Sequence, residues 1–236
     1  MAPAARGKLA AAAYSRKRGV MALPLSELVY TNEEYLAMER EAEERHEYID
    51  GYIYEMSGES EEHGEISTNL SWIIGSQLRG TPCRARIKDT KVRSGPIPYS
   101  PKSRKGLFSY PDMLIVCGEM KFLDEYRDVL TNPTVIFEIL SQRTEEFDRE
   151  LKFWRYQTWN PTLNDYLLIA QTKPVIEHYI RQPDGGWSYY LYHGLESSLT
   201  IKSVNCTLHL VDVYDRMVFP PQNLELFLGI DEEQQP

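Results

Sequence analysis

One residue of this chain stands out by its type. Glu138 lies inside Val135-Ile136-Phe137-Glu138-Ile139-Leu140, an apolar run typical of a buried central strand. Burying a carboxylate without a partner costs roughly several kcal/mol, so Glu138 requires a cation or a hydrogen-bond network. Asp112 holds a similar position, behind Pro111 and at the head of Met113-Leu114-Ile115-Val116-Cys117. If the two runs are neighbouring strands, their carboxylates converge, and converging carboxylates repel unless a cation lies between them. Oxygen-only ligation suits Mg²⁺ or Mn²⁺ rather than zinc. Beyond Glu138, the residues Asp148, Lys152 and Tyr156 follow at i, i+4, i+8 and form one polar stripe on a helix. From there Lys152 can aim its ammonium at the carboxylate pair, and a metal with a lysine beside a bound water is a way to make hydroxide for phosphoryl chemistry.

Each of these residues also has an ordinary structural use. Glu138 can be one half of a salt bridge to Arg143 or Arg149, since ion-pair networks occupy such sites too. Asp112 can be a turn or cap aspartate, and Lys152 can form an i, i+4 surface pair with Asp148.

The elements that must position these groups are legible in outline. Thr31 and Glu34 mark a capping box, with a helix running to about Glu44. Tyr48 to Tyr54 reads as a hairpin turning at Asp50-Gly51. Ile66, Leu70, Ile73, Ile74 and Leu78 recur at helical spacing and mark an amphipathic helix over 62–78. Residues 83–93 read as one extended, basic strand, and the Pro- and Gly-rich stretch 94–106 as a surface loop. The helix after Glu138 is expected over 145–158 with Phe147, Leu151, Trp154 and Thr158 on one face, a fraction of a turn from the polar stripe. Strands follow at 166–170, 175–181, 187–192 and 207–211, with a hairpin turn at Asp184-Gly185-Gly186. This order predicts an α/β (α+β) fold, a mixed β-sheet flanked by helices with a β-rich C-terminal part.

Composition limits the alternatives. A chain of 236 residues can bury a core without disulfides or structural metal. No apolar run approaches 18 residues, which excludes a membrane-spanning helix. Cys83, Cys117 and Cys206 lie far apart and are odd in number, so no disulfide framework is expected and a reducing cytoplasm fits. The five histidines show no metal-binding spacing. Residues 1–20 are basic and Ala-rich and read as a disordered extension, with Met1 and Met21 both open as the start. A single domain over 21–230 and a polar tail over 231–236 complete the expected organisation.

The net charge of −9 argues against a polyanionic partner, yet it is unevenly spread. From Cys83 to Gly106 there are eight basic residues and one acid, a local charge of +7. Arg84, Arg86 and Lys88 alternate and would share one face of a strand, with Lys91 and Arg93 close behind. Such a face can track a phosphate backbone or simply keep an edge strand from pairing with other sheets.

Tyr110-Pro111-Asp112 followed by Phe137-Glu138-Ile139-Leu140-Ser141 resembles the PD-(D/E)XK nuclease motif, with Leu140 in place of its final lysine. Glu47 to Gly58, His63, Thr144, Asp148, Lys152, Tyr156 and Asp165 to Ile169 extend the resemblance to the Uma-two family of endonucleases within that superfamily, over roughly residues 25–220. The resemblance implies a restriction-endonuclease-like core and metal-assisted hydrolysis of a DNA phosphodiester. Asp112, Glu138 and the Ile139 carbonyl would bind the metal, and Lys152 would replace the missing lysine from the neighbouring helix. Glu47, His63, Asp148 and Tyr156 would form the site rim, and Arg84, Arg86, Lys88, Lys91 and Arg93 would contact DNA. A homodimer is also implied, with Tyr179, Trp187, Tyr189 and Tyr190 offering either an apolar surface or ordinary core. Two readings compete with the enzyme: a non-catalytic nucleic-acid-binding or interaction protein that keeps the fold, and a hydrolase acting on another phosphate.

Overall fold

A computed structural model of the chain describes residues 24–56 and 58–219. The expected basic extension at 1–20 and the polar tail at 231–236 lie outside the described residues.

The first helix, α1 (Asn32–Glu41), begins where its capping signal stands. The Thr31 backbone N–H donates to Glu34 Oε2 at 2.7 Å, and the Glu34 N–H donates to Thr31 Oγ1 at 3.3 Å. Two orphan donors of the helix end are thereby satisfied reciprocally. Strands β1 (His46–Ile49) and β2 (Tyr52–Glu55) form the hairpin, with Asp50 at φ 47° and Gly51 at φ 102°. Positive φ at both central residues matches the right-handed twist of the flanking strands. A Cβ on Gly51 would stand 2.3 Å from Val29 Cγ1, so the close approach of the backbone also requires glycine. Helix α2 (Glu61–Gln77) follows, capped by Ser60, whose Oγ accepts from the His63 N–H at 3.2 Å.

The remaining strands are β3 (Cys83–Ile87), β4 (Lys91–Ser94), β5 (Leu107–Ser109), β6 (Met113–Cys117), β7 (Val129–Leu130), β8 (Val135–Leu140), β9 (Asp165–Ala170), β10 (Val175–Arg181), β11 (Trp187–His193), β12 (Ser198–Ile201) and β13 (Cys206–His209). Between β8 and β9 runs one helical segment: α3 (Glu145–Phe147), a π turn (Asp148–Lys152) and α4 (Phe153–Trp159). A short α5 (Leu210–Val213) follows β13.

The strands form a six-stranded sheet ordered β11-β10-β9-β8-β6-β3, a five-stranded sheet ordered β2-β1-β5-β4-β7, and the hairpin β12-β13. In the larger sheet β8 and β9 are parallel and all other neighbours antiparallel. Because strand residues alternate between faces, Val135, Phe137 and Ile139 join the core beneath α2 and the C-terminal hairpin. Ile136 and Leu140 join the core shared with the helical segment and the smaller sheet. Glu138 projects to that second face, between the two sheets. A third core of Tyr35, Tyr48, Phe108 and neighbours seats α1 on the smaller sheet.

Three expectations are corrected. The extended segment 83–93 is two strands in different sheets, divided by a turn at Lys88-Asp89-Thr90 with Lys88 at φ 53°. The apolar face after Glu138 is buried only at its start: Phe147 is buried and Leu151 partly so, whereas Trp154 is 50% exposed and Thr158 exposed, and the stripe Asp148, Lys152, Tyr156 is buried beside it. The stripe is buried because Lys152 and Tyr156 reach the Glu47 and Glu138 carboxylates of the inter-sheet cleft. Finally, Cys83 and Cys117 are joined in a disulfide. Their separation in sequence is bridged by the antiparallel register, which places them directly opposite each other on β3 and β6. The inference of a reducing compartment from unpaired cysteines loses its basis. The unfolded, unreduced protein is expected to react with one equivalent of a thiol reagent, at Cys206, and with three after reduction.

The aromatics of the last strands divide. Tyr179 and Trp187 pack around Phe153 at 4.3 and 5.2 Å between ring centroids. Tyr189 and Tyr190 are about half exposed on the edge strand β11.

Candidate active site

The register of β6 and β8 pairs Met113 with Phe137, which sets Asp112 beside the Glu138–Ile139 peptide. The Ile139 N–H donates to Asp112 Oδ2 at 2.7 Å and fixes the first carboxylate to the strand carrying the second. Tyr110, two residues earlier, anchors this end. Its hydroxyl donates to Glu39 Oε1 at 2.7 Å and accepts from Lys91 Nζ at 3.2 Å.

Lys152 reaches the same point from the π turn. This wider coil bonds i to i+5 and recurs as a single turn at functional sites. It packs more than four residues into a turn, so Asp148 and Lys152 stand nearly above one another. The Lys152 ammonium lies 3.0 Å from Glu47 Oε1, 3.0 Å from Asp148 Oδ1 and 3.5 Å from Glu138 Oε1. Tyr156, one turn on, donates to Glu138 Oε1 at 3.3 Å, and its hydroxyl is 2.7 Å from Ser109 Oγ. Glu138, Asp148, Lys152 and Glu47 are 3, 2, 6 and 8% exposed, so their charges interact with little water between them.

One ammonium cannot neutralise this many carboxylates. Burial raises the Glu138 carboxyl well above the ordinary range; Lys152 opposes that, while Asp148, Asp112 and Glu47 add to it. Burial likewise raises Glu47 and Asp148 against the pull of Lys152. Lys152 itself is pushed the other way. Burial favours its neutral form, but Asp148, Glu138 and Glu47 outweigh that and hold the ammonium well above its usual range. Lys152 is therefore a fixed cation at neutral pH.

His63, in the first turn of α2, closes the outer side. Its Nε2 is 2.9 Å from Asp112 Oδ1 and its Nδ1 3.8 Å from Glu59 Oε2. Burial lowers its basicity, and the Asp112 carboxylate more than offsets that, leaving the imidazole raised. Glu59 in turn pairs with Lys88 from the β3–β4 turn. Glu59 and Ser109 were invisible in sequence: nothing near them sets them apart from surface glutamates and strand serines.

These groups form the floor and wall of a cavity of about 940 Å³. Glu55, Glu61, Glu62 and Glu65 add to its negative lining; the basic groups on its wall are His63, Lys152, Arg143 and Arg216.

The structure thus gathers Asp112, Glu138, Lys152, Glu47, His63 and Asp148 around one cavity, with Tyr156 fully buried behind Glu138. Glu138 pairs with neither arginine weighed for it: Arg149 binds Glu145 and Glu177, and the cation beside Glu138 is Lys152. Lys152 is not a surface partner of Asp148, and Glu47 is not an exposed strand residue. The basic segment is not gathered. Lys91 is buried against Asp128 and Tyr110, and Arg93 is buried with Nη2 on the Pro96 carbonyl at 2.8 Å. Lys88 is paired with Glu59, which leaves Arg84 and Arg86 exposed on β3.

A divalent cation fits this donor set. Glu47, Glu138 and Asp148 share the single Lys152 ammonium, with Asp112 beside Glu138, so carboxylate outnumbers ammonium in the cleft. Among the described residues no three Asp, Glu, His or Cys side chains already stand as a ligand group. A set of two carboxylates and one backbone carbonyl does not require one.

Residues 32–210 match the family model of Uma2, described as "Putative restriction endonuclease". Two uncharacterized proteins of Synechocystis sp., slr1290 and sll1609, are each 32% identical, over 187 and 159 residues. The first alignment covers 79% of this chain and 92% of the relative; the second covers 67% and 85%. The fold resembles a crystal structure from Anabaena variabilis described as a "putative nuclease belonging to DUF820", with a TM-score of 0.61 and 17% identity over 78% of this chain and 97% of that one. With its restriction-endonuclease-like core and a family match spanning most of its length, this chain belongs to the Uma2 family.

Proposed function

We propose that the chain is a metal-dependent endonuclease hydrolysing phosphodiester bonds in DNA. The observation that carries this reading is the buried Lys152 ammonium held among Glu47, Glu138 and Asp148, beside Asp112, which accepts from the Ile139 N–H of the strand carrying Glu138. A structural ion pair needs one carboxylate per cation; an excess of carboxylates around one cation suits a site that takes up another.

Asp112, Glu138 and the Ile139 carbonyl would hold Mg²⁺ or Mn²⁺, which when bound supplies Lewis-acid polarisation of the phosphate and acidification of water. Lys152 keeps its proton, so it orients the attacking water and offsets charge on the phosphate oxygens rather than acting as a base. Glu47, buried beside the ammonium and outside the proposed ligand set, is the carboxylate placed to accept a proton. Glu47 and Asp148 position the ammonium from two sides, and Tyr156 positions Glu138. His63 orients Asp112 from the outer side, while the Ile139 N–H holds its other oxygen.

The acidic cavity wall bears on the same reading. A polyanion meets repulsion there unless cations intervene, so substrate binding at the site requires metal. Plasmid and oligonucleotide cleavage with Mg²⁺ or Mn²⁺ tests the proposal. Wild type is expected to cleave, to stop on chelation, and to lose activity in a folded Asp112→Ala protein. Undiminished cleavage by that variant sinks the assignment.

A further inference from the structure

The outer edge of the six-stranded sheet carries a second cavity, about 450 Å³ in volume, lined among others by Arg84, Arg86, Thr90, Glu119, Phe122 and Arg127. Strand β3 bonds β6 on one side and no strand on the other, so this cavity opens at a free edge. Arg84 and Arg86 alternate along β3 and share a face. Their cross-strand neighbours Val116 and Leu114 belong to the core between the two sheets, the face to which Glu138 also projects. The two arginines therefore lie on the active-site side of the sheet.

Arg127 comes from the loop before β7 and is held in place. Its backbone has φ 55°, and its guanidinium lies 4.5 Å from the centre of the Phe122 ring. Arg86 Nη2 sits 3.8 Å from Met120 Sδ. Among the described residues, Arg40, Arg45, Arg149 and Arg155 are all paired with carboxylates, whereas Arg84, Arg86 and Arg127 form no such ion pair. Glu119 is the one acid in the lining, so the cavity is net cationic in an acidic protein. Three guanidiniums lining one concave surface, with an aromatic ring beside one and a thioether beside another, suit the oxygens of a phosphate.

The spacing relates the two cavities. Arg86 is opposite Leu114 and Arg84 opposite Val116, two and four residues along β6 from Asp112. At about 3.4 Å per residue these are roughly 7 and 14 Å from the site. Successive phosphates of one DNA strand rise ~3.4 Å along the helix axis and lie about twice that far apart along the winding backbone, so the separation is on the order of one to two nucleotides. The turn Lys88–Thr90 stands between: Thr90 lines this cavity, and Lys88 pairs with Glu59 in the wall of the other.

We propose that Arg84, Arg86 and Arg127 form a phosphate subsite that holds the DNA backbone about one to two nucleotides from the bond cut at Asp112 and Glu138. The inference rests on the nuclease reading and adds where the substrate is gripped. It also resolves how so acidic a protein binds DNA: through a localised arginine cluster away from the carboxylate-lined cavity.

The test uses the full chain and the variants Arg84→Gln, Arg86→Gln and Arg127→Gln, singly and together, each checked for an unchanged melting temperature. Cleavage of a long duplex by the triple variant is expected with KM raised roughly tenfold or more, unchanged kcat, and a salt-dependence slope smaller by about 1–2. A duplex too short to reach the cavity is expected to be cleaved equally by wild type and variant. Wild-type cleavage with identical KM and slope in the variants overturns the subsite and leaves the nuclease reading intact. If wild type cleaves nothing, the nuclease reading fails, and fluorescence anisotropy with the same uncleaved duplex decides the subsite. Arginine-dependent binding then supports it, and absence of binding overturns it. Arginine-dependent uptake of inorganic phosphate that long duplex cannot displace assigns the cavity to a free anion and also overturns the proposal.

Discussion

A Glu138→Gln protein is expected to melt higher than the wild type and to lose metal-dependent cleavage. The two effects have one cause. In the metal-free protein the Glu138 carboxylate is buried and repelled by Asp148, Asp112 and Glu47, so its charge opposes folding. Removing that charge leaves Lys152 with Glu47 and Asp148, each at 3.0 Å, so the ammonium stays paired. The amide oxygen still accepts from Tyr156. Relief of repulsion is expected to stabilise by about 1–2 kcal/mol, roughly 2–8 °C for a domain of this size. Cleavage falls by at least about 10²–10³-fold, the scale on which loss of one transition-state-stabilising group is felt. Thermal melts in EDTA beside cleavage in Mg²⁺ make the comparison. A Glu138→Gln protein that melts lower contradicts the charge excess, and one that cleaves normally removes Glu138 from the site.

Lys152→Met reverses the sign on stability. Methionine matches the length of the chain but leaves Glu47, Glu138 and Asp148 buried without their cation. Breaking a buried pair by deleting one partner costs about 3–5 kcal/mol, on the order of 10 °C here. Adding Glu47→Gln and Asp148→Asn is expected to recover most of that stability without recovering cleavage, because the fixed cation is gone. The loss is also expected to shrink on acidification. Carboxyls whose folded pKa is raised above the unfolded value take up protons first in the folded state, so their cost to stability fades as pH falls through the raised values. Urea or thermal unfolding of Lys152→Met between pH 5 and 8 in EDTA checks this; a deficit that grows on acidification contradicts it.

Much of the fold and part of the site could be read from residues alone. The Thr31–Glu34 box, the Asp50-Gly51 turn and the heptad-like apolar spacing of α2 are local signals, and each produces its element where expected. Glu138 was legible because a carboxylate in an apolar strand is a local contradiction that demands a partner. Asp112 and Lys152 followed from position and periodicity. The trace 83–93 could not be divided correctly, because its alternating charges suit any strand, and which sheet each half joins depends on pairing partners far away in sequence. On the helix expected over 145–158, Phe147 is buried with the apolar face and Lys152 reaches the carboxylates, but Trp154 is exposed. Amphipathic spacing marks the faces, and how far each is buried depends on what the cleft holds.

Element types, caps and turns, the family pattern and the demand for a cation beside Glu138 are legible in the residues, because each rests on interactions within a few positions or on the type of one side chain. That the cation is Lys152 rather than an arginine, that Glu47 joins it, that Cys83 meets Cys117, and that Lys91 and Arg93 are engaged inside while Arg84 and Arg86 stay exposed, is set by the packed fold. Each of these depends on strand register and on distances of a few ångströms between residues tens of positions apart, and charge, burial and bonding are settled at that range.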